Sequence, residues 1–164
     1  MFTMPHKDSP LVAVVGCSAI KTAQAAPARD FYRSPLFKAA LAFAELRTNE
    51  VRIVSARYGA LKLDAEVEPY DMKLSTFRKV DREDWGARTV DDLRRGFKVP
   101  PTFVLLCGEL YADAILYGAH WHNLPRPQTP MAQMSGVGNR IAWLNAERAT
   151  VIQERRANEN DSNK

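Results

Sequence analysis

Asp71 directly follows an aromatic residue in the run Pro69-Tyr70-Asp71. A carboxylate beside a ring is what excision of a nucleobase uses: the acid orients water or stabilises an oxocarbenium-like sugar, and the ring stacks on the base. The same two residues serve equally well, on local grounds, as a turn cap and a core-edge ring. A second acid, Asp30, sits in Pro27-Ala28-Arg29-Asp30-Phe31-Tyr32-Arg33-Ser34-Pro35-Leu36-Phe37. There Arg29 can pair bidentately with phosphate or a base edge and Tyr32 offers a stacking face. An Arg29-Asp30 surface pair over buried Phe31 and Tyr32 is the plainer reading of that segment.

Four further groups have types suited to a ligand. Gly16-Cys17-Ser18 and then Lys21 make a turn whose backbone N–H groups and ammonium can hold a phosphate or a base carbonyl. The spacing is neither that of a P-loop nor that of a dinucleotide fingerprint, so NTP hydrolysis and NAD binding are unsupported. Ser55-Ala56-Arg57-Tyr58-Gly59 contributes Arg57. Cys107-Gly108-Glu109 contributes a carboxylate able to accept from amino or hydroxyl groups, with Tyr111 two residues on. Gly136-Val137-Gly138-Asn139-Arg140 is a flexible entry to a helix N-terminus that suits an anion, with Arg140 adding charge. Each segment is equally a plain turn or an ordinary first helical turn when taken alone. His120 and His122 flank Trp121, but no third ligand stands at a metal-site spacing, and no Ser/His/Asp set or Gly-x-Ser-x-Gly elbow is visible. Neither a metal nor a cofactor is expected.

Three apolar runs must carry these groups: Leu11 to Cys17, Val51 to Ala56 and Thr102 to Cys107. Each is too short for a buried helix and reads as a strand buried on both faces. Ser34 caps a helix with Pro35 at its first position, and Leu36, Phe37, Ala40, Leu41 and Ala44 form its apolar face. Asp81 is the expected cap of the next helix, with Val80 stapled on Trp85, and with Leu93 and Phe97 inward until Pro100 and Pro101. A short helix follows through Leu110, Ala114 and Leu116, and a long one starts near Val137 with Ile141, Leu144, Val151 and Ile152 inward. His120 to Pro130 reads as a Pro-rich loop with a short edge strand whose place is open.

Strands alternating with helices predict an α/β fold: a three-layer sandwich with a central, mainly parallel sheet, which binds ligands beyond the carboxyl ends of its strands. Motif residues fall after each of the three strands and at the start of the last helix, so convergence on one pocket is expected. The 164 residues, 46% apolar, suit one domain, placed at 11–157 with flexible termini at 1–10 and 158–164. No run nears the roughly 20 apolar residues of a membrane span, and no secretory signal is visible, so a cytoplasmic protein without membrane contact is expected. Cys17 and Cys107 read as buried thiols near a site. The net charge of +4 favours an anionic partner.

Taken in order, Gly16-Cys17-Ser18-Ala19-Ile20-Lys21, Pro27 to Phe37, Ser55 to Leu61, Pro69 to Asp71, Gly108 to Tyr111 and Gly136 to Leu144 resemble a family of small bacterial and phage domains of unknown function. That family is distantly similar to the peroxide-stress DNA-binding proteins and to the uracil-DNA-glycosylase-like domain of archaeosine synthase. One departure is visible: the family has several lysines after the serine, where this chain has Ala19 and Ile20 before Lys21. The resemblance implies a uracil-DNA-glycosylase-like fold and a modified or flipped base as ligand. The expectation is therefore an N-glycosylase acting on a base in nucleic acid, DNA before RNA, in repair or anti-phage defence. Asp71 and Asp30 would be its catalytic acids; Tyr32 and Tyr70 would stack; Lys21, Arg29, Arg57 and Arg140 would meet phosphate or base edges; Cys17, Ser18, Glu109, Tyr111 and Gly138 would complete the pocket. A non-catalytic nucleic-acid-binding module and an enzyme on free nucleosides or nucleotides are the alternatives.

Overall fold

The Val-rich run Leu11–Gly16 forms β1, the central strand, and its side chains alternate between two cores. The computed structural model describes residues 9–162. Ala13 and Val15 face one core, Val12 and Val14 the other, and all four are at most 2% exposed. That pattern is the physical reason for a continuous apolar run in place of a polar/apolar alternation.

Beyond β1, the short strand β2 (Ala26–Pro27) and the single-turn helix α1 (Ala28–Phe31) lead into α2 (Pro35–Arg47). Ser34 caps α2: its hydroxyl accepts from the Phe37 N–H at 3.1 Å. The next strand, β3 (Val51–Ser55), pairs parallel to β1, and a tight turn returns the chain as β4 (Gly59–Leu61), antiparallel to β3. β5 (Glu66–Val67) pairs with β2 in a separate two-stranded sheet. A 3₁₀ turn at Leu74–Thr76 precedes α3 (Lys79–Arg94). β6 (Thr102–Leu106) lies parallel to β1 on its other side, followed by α4 (Glu109–Trp121) and α5 (Val137–Ser162).

The main sheet has the order β4-β3-β1-β6, mixed but mostly parallel. Helices α2 and α5 pack together over one face, and α3 and α4 over the other. In the second layer the helices meet backbone to backbone. A Cβ placed on Gly86 would collide with the Ala114 carbonyl, and one on Gly118 with the Gly86 carbonyl, so glycine at both positions sets the α3–α4 spacing.

Several boundaries differ from expectation. α3 begins at Lys79, two residues before Asp81, because Asp81 works from inside the first turn, where its carboxylate takes both Arg78 Nε at 2.7 Å and Arg78 Nη2 at 3.0 Å. Val80 is 58% exposed and makes no staple, whereas Trp85 and Leu93 are buried as the periodicity implied. Leu110 faces outward at 39% exposure. The segment placed as a frayed tail continues α5 through Ser162. At the other end, Ser9 is tied down, its hydroxyl donating to the Pro100 carbonyl at 2.6 Å; residues 1–8 and 163–164 lie outside the described residues. The edge pairing inside the Pro-rich loop is a single parallel bridge, Val104 with Gln128, on the outer side of β6.

Candidate functional site

β1 lies between β3 and β6, and the chain leaves it towards the α2 layer while β6 leads into α4 on the opposite layer. Neighbouring parallel strands whose connections depart to opposite faces open a crevice at their carboxyl ends. The crevice is narrow at its base: a Cβ on Gly16 would lie 2.7 Å from the Cys107 Cβ, so only glycine lets the two strand ends approach this closely. Past Gly16, residues 17–22 are laced to residues 31–34. Arg33 N–H donates to the Ile20 carbonyl and Thr22 N–H to the Phe31 carbonyl, each at 2.9 Å, and the Ser18 hydroxyl donates back to the Ile20 carbonyl at 2.6 Å.

Above this base lies a cleft of about 550 Å³, within the usual size of small-molecule sites. Cys17, Ser18 and Lys21 line it from the β1 side, Glu109 and Tyr111 from the start of α4, and Asp71 through Ser75 from the loop before α3. The Cys17 thiol and Tyr111 hydroxyl share a hydrogen bond of 3.2 Å across the cleft base. Lys21 holds its ammonium 4.6 Å over the centre of the Tyr70 ring, a cation–π contact.

Beneath Lys21 is a buried phenol cluster. The Tyr32 and Tyr70 hydroxyls share a 2.8 Å hydrogen bond, Phe31 lies parallel to the Tyr70 ring at 6.3 Å, and Tyr58 meets that ring edge-on at 5.5 Å. Burial pushes the Tyr70 phenol up to about 12, with neighbouring Cys17 adding to the shift and the Ser55 and Tyr32 hydroxyls opposing it. Burial, then the Tyr70 hydrogen bond, holds the Tyr32 phenol well above its ordinary value; burial and Cys17 do the same to Tyr111. The Cys107 thiol is raised to about 12 by burial first and by Cys17 second, with Arg140 pulling the other way. These groups are therefore neutral hydrogen-bonding elements around physiological pH.

The site residues read from sequence divide between those that line the cleft and those that do not. Asp71, Cys17, Ser18, Lys21, Glu109 and Tyr111 share the cleft wall. Asp30 does not line it; it is exposed on α1, and its neighbour Arg29 is engaged with Glu45 at 2.9 Å. Arg57 is exposed at the β3–β4 turn, its guanidinium 5.6 Å from the Tyr58 ring centre. Tyr32 is 1% exposed, and the half-buried Tyr70 ring has Lys21 over it, Phe31 parallel to it and Tyr58 edge-on, so these rings support Lys21 and neither lines the cleft. Arg140 donates from Nε to the Met134 carbonyl at 3.2 Å and fastens the turn ahead of α5; Gly138, in the first turn of α5, is exposed. His122 Nε2 lies 2.9 Å from the Ala87 carbonyl, away from the cleft. Among the described residues, no three His, Cys, Asp or Glu side chains come together as a metal site would require.

Sequence reasoning missed Met72, Lys73, Leu74 and Ser75, which follow Asp71 along the cleft wall. Their run has no period to read; Lys73 as a second cation after the Tyr-Asp pair is the one signal present. It also missed Ser55, a polar residue closing an apolar strand, whose hydroxyl accepts from the Tyr58 N–H at 2.9 Å and whose carbonyl accepts from Trp85 Nε1 at 3.2 Å.

A mixed, mostly parallel sheet between two helical layers, with a cleft where its central strands end, defines a domain of the α/β class. A model of a family of unknown function, DUF6884, matches residues 12–146, and the chain belongs to that family. Among curated proteins no match is found. No helix among the described residues is long and apolar enough to cross a membrane.

Proposed function

We propose that the chain is a nucleobase-recognising hydrolase of N-glycosidic bonds, acting on a modified base in DNA or RNA as in repair or anti-phage defence, with a fold akin to the uracil-DNA glycosylases. The observation that carries this reading is the meeting of Asp71, Glu109 and Lys21 around one nucleoside-sized cleft above the hydrogen-bonded Cys17 thiol and Tyr111 hydroxyl. In the reaction, the bond between the sugar's anomeric carbon and the base nitrogen breaks, the base departs with the electron pair, and water adds to the sugar. Asp71 orients that water and stabilises the cationic sugar as charge develops. Glu109 accepts from amino or hydroxyl groups of the ligand, and Lys21 donates to a base carbonyl or phosphate.

Mass spectrometry of free bases released from genomic, phage-modified and transfer RNA substrates tests this. Release by the wild type that is lost in Asp71→Asn supports glycosidic cleavage; no release from any substrate, with salt-sensitive binding retained, replaces the enzyme by a non-catalytic binding module.

A second reading, an enzyme on free nucleosides or nucleotides, is favoured by the charge balance of the cleft. Its cations Lys21 and Lys73 face the acids Asp71 and Glu109, while Arg29 and Arg57 stand outside it. A polymer substrate gives affinity that falls steeply with salt; a free nucleoside gives affinity nearly independent of it.

A further inference from the structure

The crevice between β1 and β6 opens in two directions. On the α4 side is the polar cleft. On the α2 side a second cavity of about 450 Å³ shares Cys17, Ser18, Ala19, Gly108 and Tyr111 with it, so the two adjoin at the same strand ends. The second cavity differs in chemistry: Ile20, Pro35, Leu36, Phe37, Met131 and Val137 line it, and no charged residue does. Ile20 and Val137 stand at its mouth 56% and 57% exposed, apolar side chains in contact with water although buried positions are close by.

An apolar chamber adjoining a charged one selects a ligand with two unlike halves, because each half gains from leaving water only in its own chamber. We infer that the ligand is amphiphilic: a nucleoside whose base carries an apolar substituent, the sugar and polar edge lying by Asp71, Lys21 and Glu109, and the substituent lying between Leu36, Phe37 and Val137. The inference rests on the nucleobase reading and narrows it to hydrophobically modified bases. The Cys17–Tyr111 pair, common to both chambers, lies at the junction.

Calorimetric titration of adenosine, cytidine and guanosine, each with and without a benzyl group on its exocyclic amine, reads this out. At least one benzylated nucleoside should bind more tightly than its parent, by roughly tenfold for every two carbon groups buried. Val137→Trp fills the apolar chamber from an exposed position at the start of α5, where folding is not at stake. It should abolish the gain while leaving affinity for the parent nucleoside within about twofold. Parent and benzylated forms that bind alike, or a gain that survives Val137→Trp, overturn the amphiphilic ligand and leave the nucleobase reading standing. Absence of binding by every nucleoside overturns both.

Discussion

The Cys17 thiol and the Tyr111 hydroxyl lie 3.2 Å apart, one just past β1 and the other in the first turn of α4. Their contact joins chain segments that otherwise depart to opposite layers, so the base of the cleft is closed by side chains and not by backbone. The carboxylates above it come from one further place, the loop before α3, and from the same first turn of α4. No single element holds the site, which therefore depends on how the two helical layers are set against the sheet.

Asp71 and Asp30 are separable by experiment. Asp71→Asn should lower kcat for base release by about 10²- to 10⁴-fold with an unchanged melting temperature, since Asp71 is exposed in the cleft and supports no core. Asp30→Asn, on the surface of α1, should keep kcat within about twofold. Equal losses in both variants, measured on the same substrate, would return Asp30 to the site.

The α3–α4 contact gives a test in which two effects oppose each other. Alanine favours a helix over glycine by about 1 kcal/mol. At Gly86 and Gly118, however, a methyl group would strike backbone that cannot move without parting the helices. Gly86→Ala and Gly118→Ala should each cost about 1–3 kcal/mol net in urea unfolding. A stabilised variant would mean that the helices pack further apart.

Alkaline pH should destabilise the fold. Tyr32, Tyr111, Tyr70 and Cys107 all titrate above their ordinary values of 10.0 for the phenols and 9.0 for the thiol. The unfolded chain therefore releases these protons first. Their contribution to stability is intact below about pH 8 and is lost progressively as pH rises from about 9 towards 12. Tyr32→Phe removes one such group, so its melting temperature should start lower but fall less steeply between pH 9 and 11. Parallel slopes for variant and wild type would contradict this.

The two cysteines should differ towards alkylation. Cys17 lines both chambers and Cys107 only the apolar one, where burial keeps its thiol protonated up to about pH 12. In native protein treated with iodoacetamide at pH 8, peptide mass spectrometry should find Cys17 carboxamidomethylated well before Cys107, and Cys17→Ser should leave the protein close to unreactive. Faster labelling of Cys107 would place its thiol in the open.

Legibility in the sequence followed the physical source of each feature. The strands of the main parallel sheet and the Ser34 cap were readable because burial on both faces and a capping hydroxyl each leave a local mark. β4, β2 and β5 are two or three residues long and exist through their partners, so no local mark shows them. The start of α3 was misplaced because a bidentate Arg78–Asp81 pair imitates a cap from within the helix. In the site, polar residues after strands pointed to the cleft, since the topology sends loops there. The orientation of rings was not readable: Tyr32 and Tyr70 have the composition of a stacking platform, but Tyr32 is buried against Phe31, and Tyr70 carries Lys21, Phe31 and Tyr58 around its ring.

Ser9 joins the domain beside Pro100 and Thr102, at the amino end of β1, and both chambers open at the carboxyl end. Six residues of strand, about 20 Å, separate the two. A tether, sensor surface or fused partner attached ahead of Ser9 therefore joins the described residues on the side remote from both chambers. Immobilised in that way, the protein presents both chambers outward, away from the support.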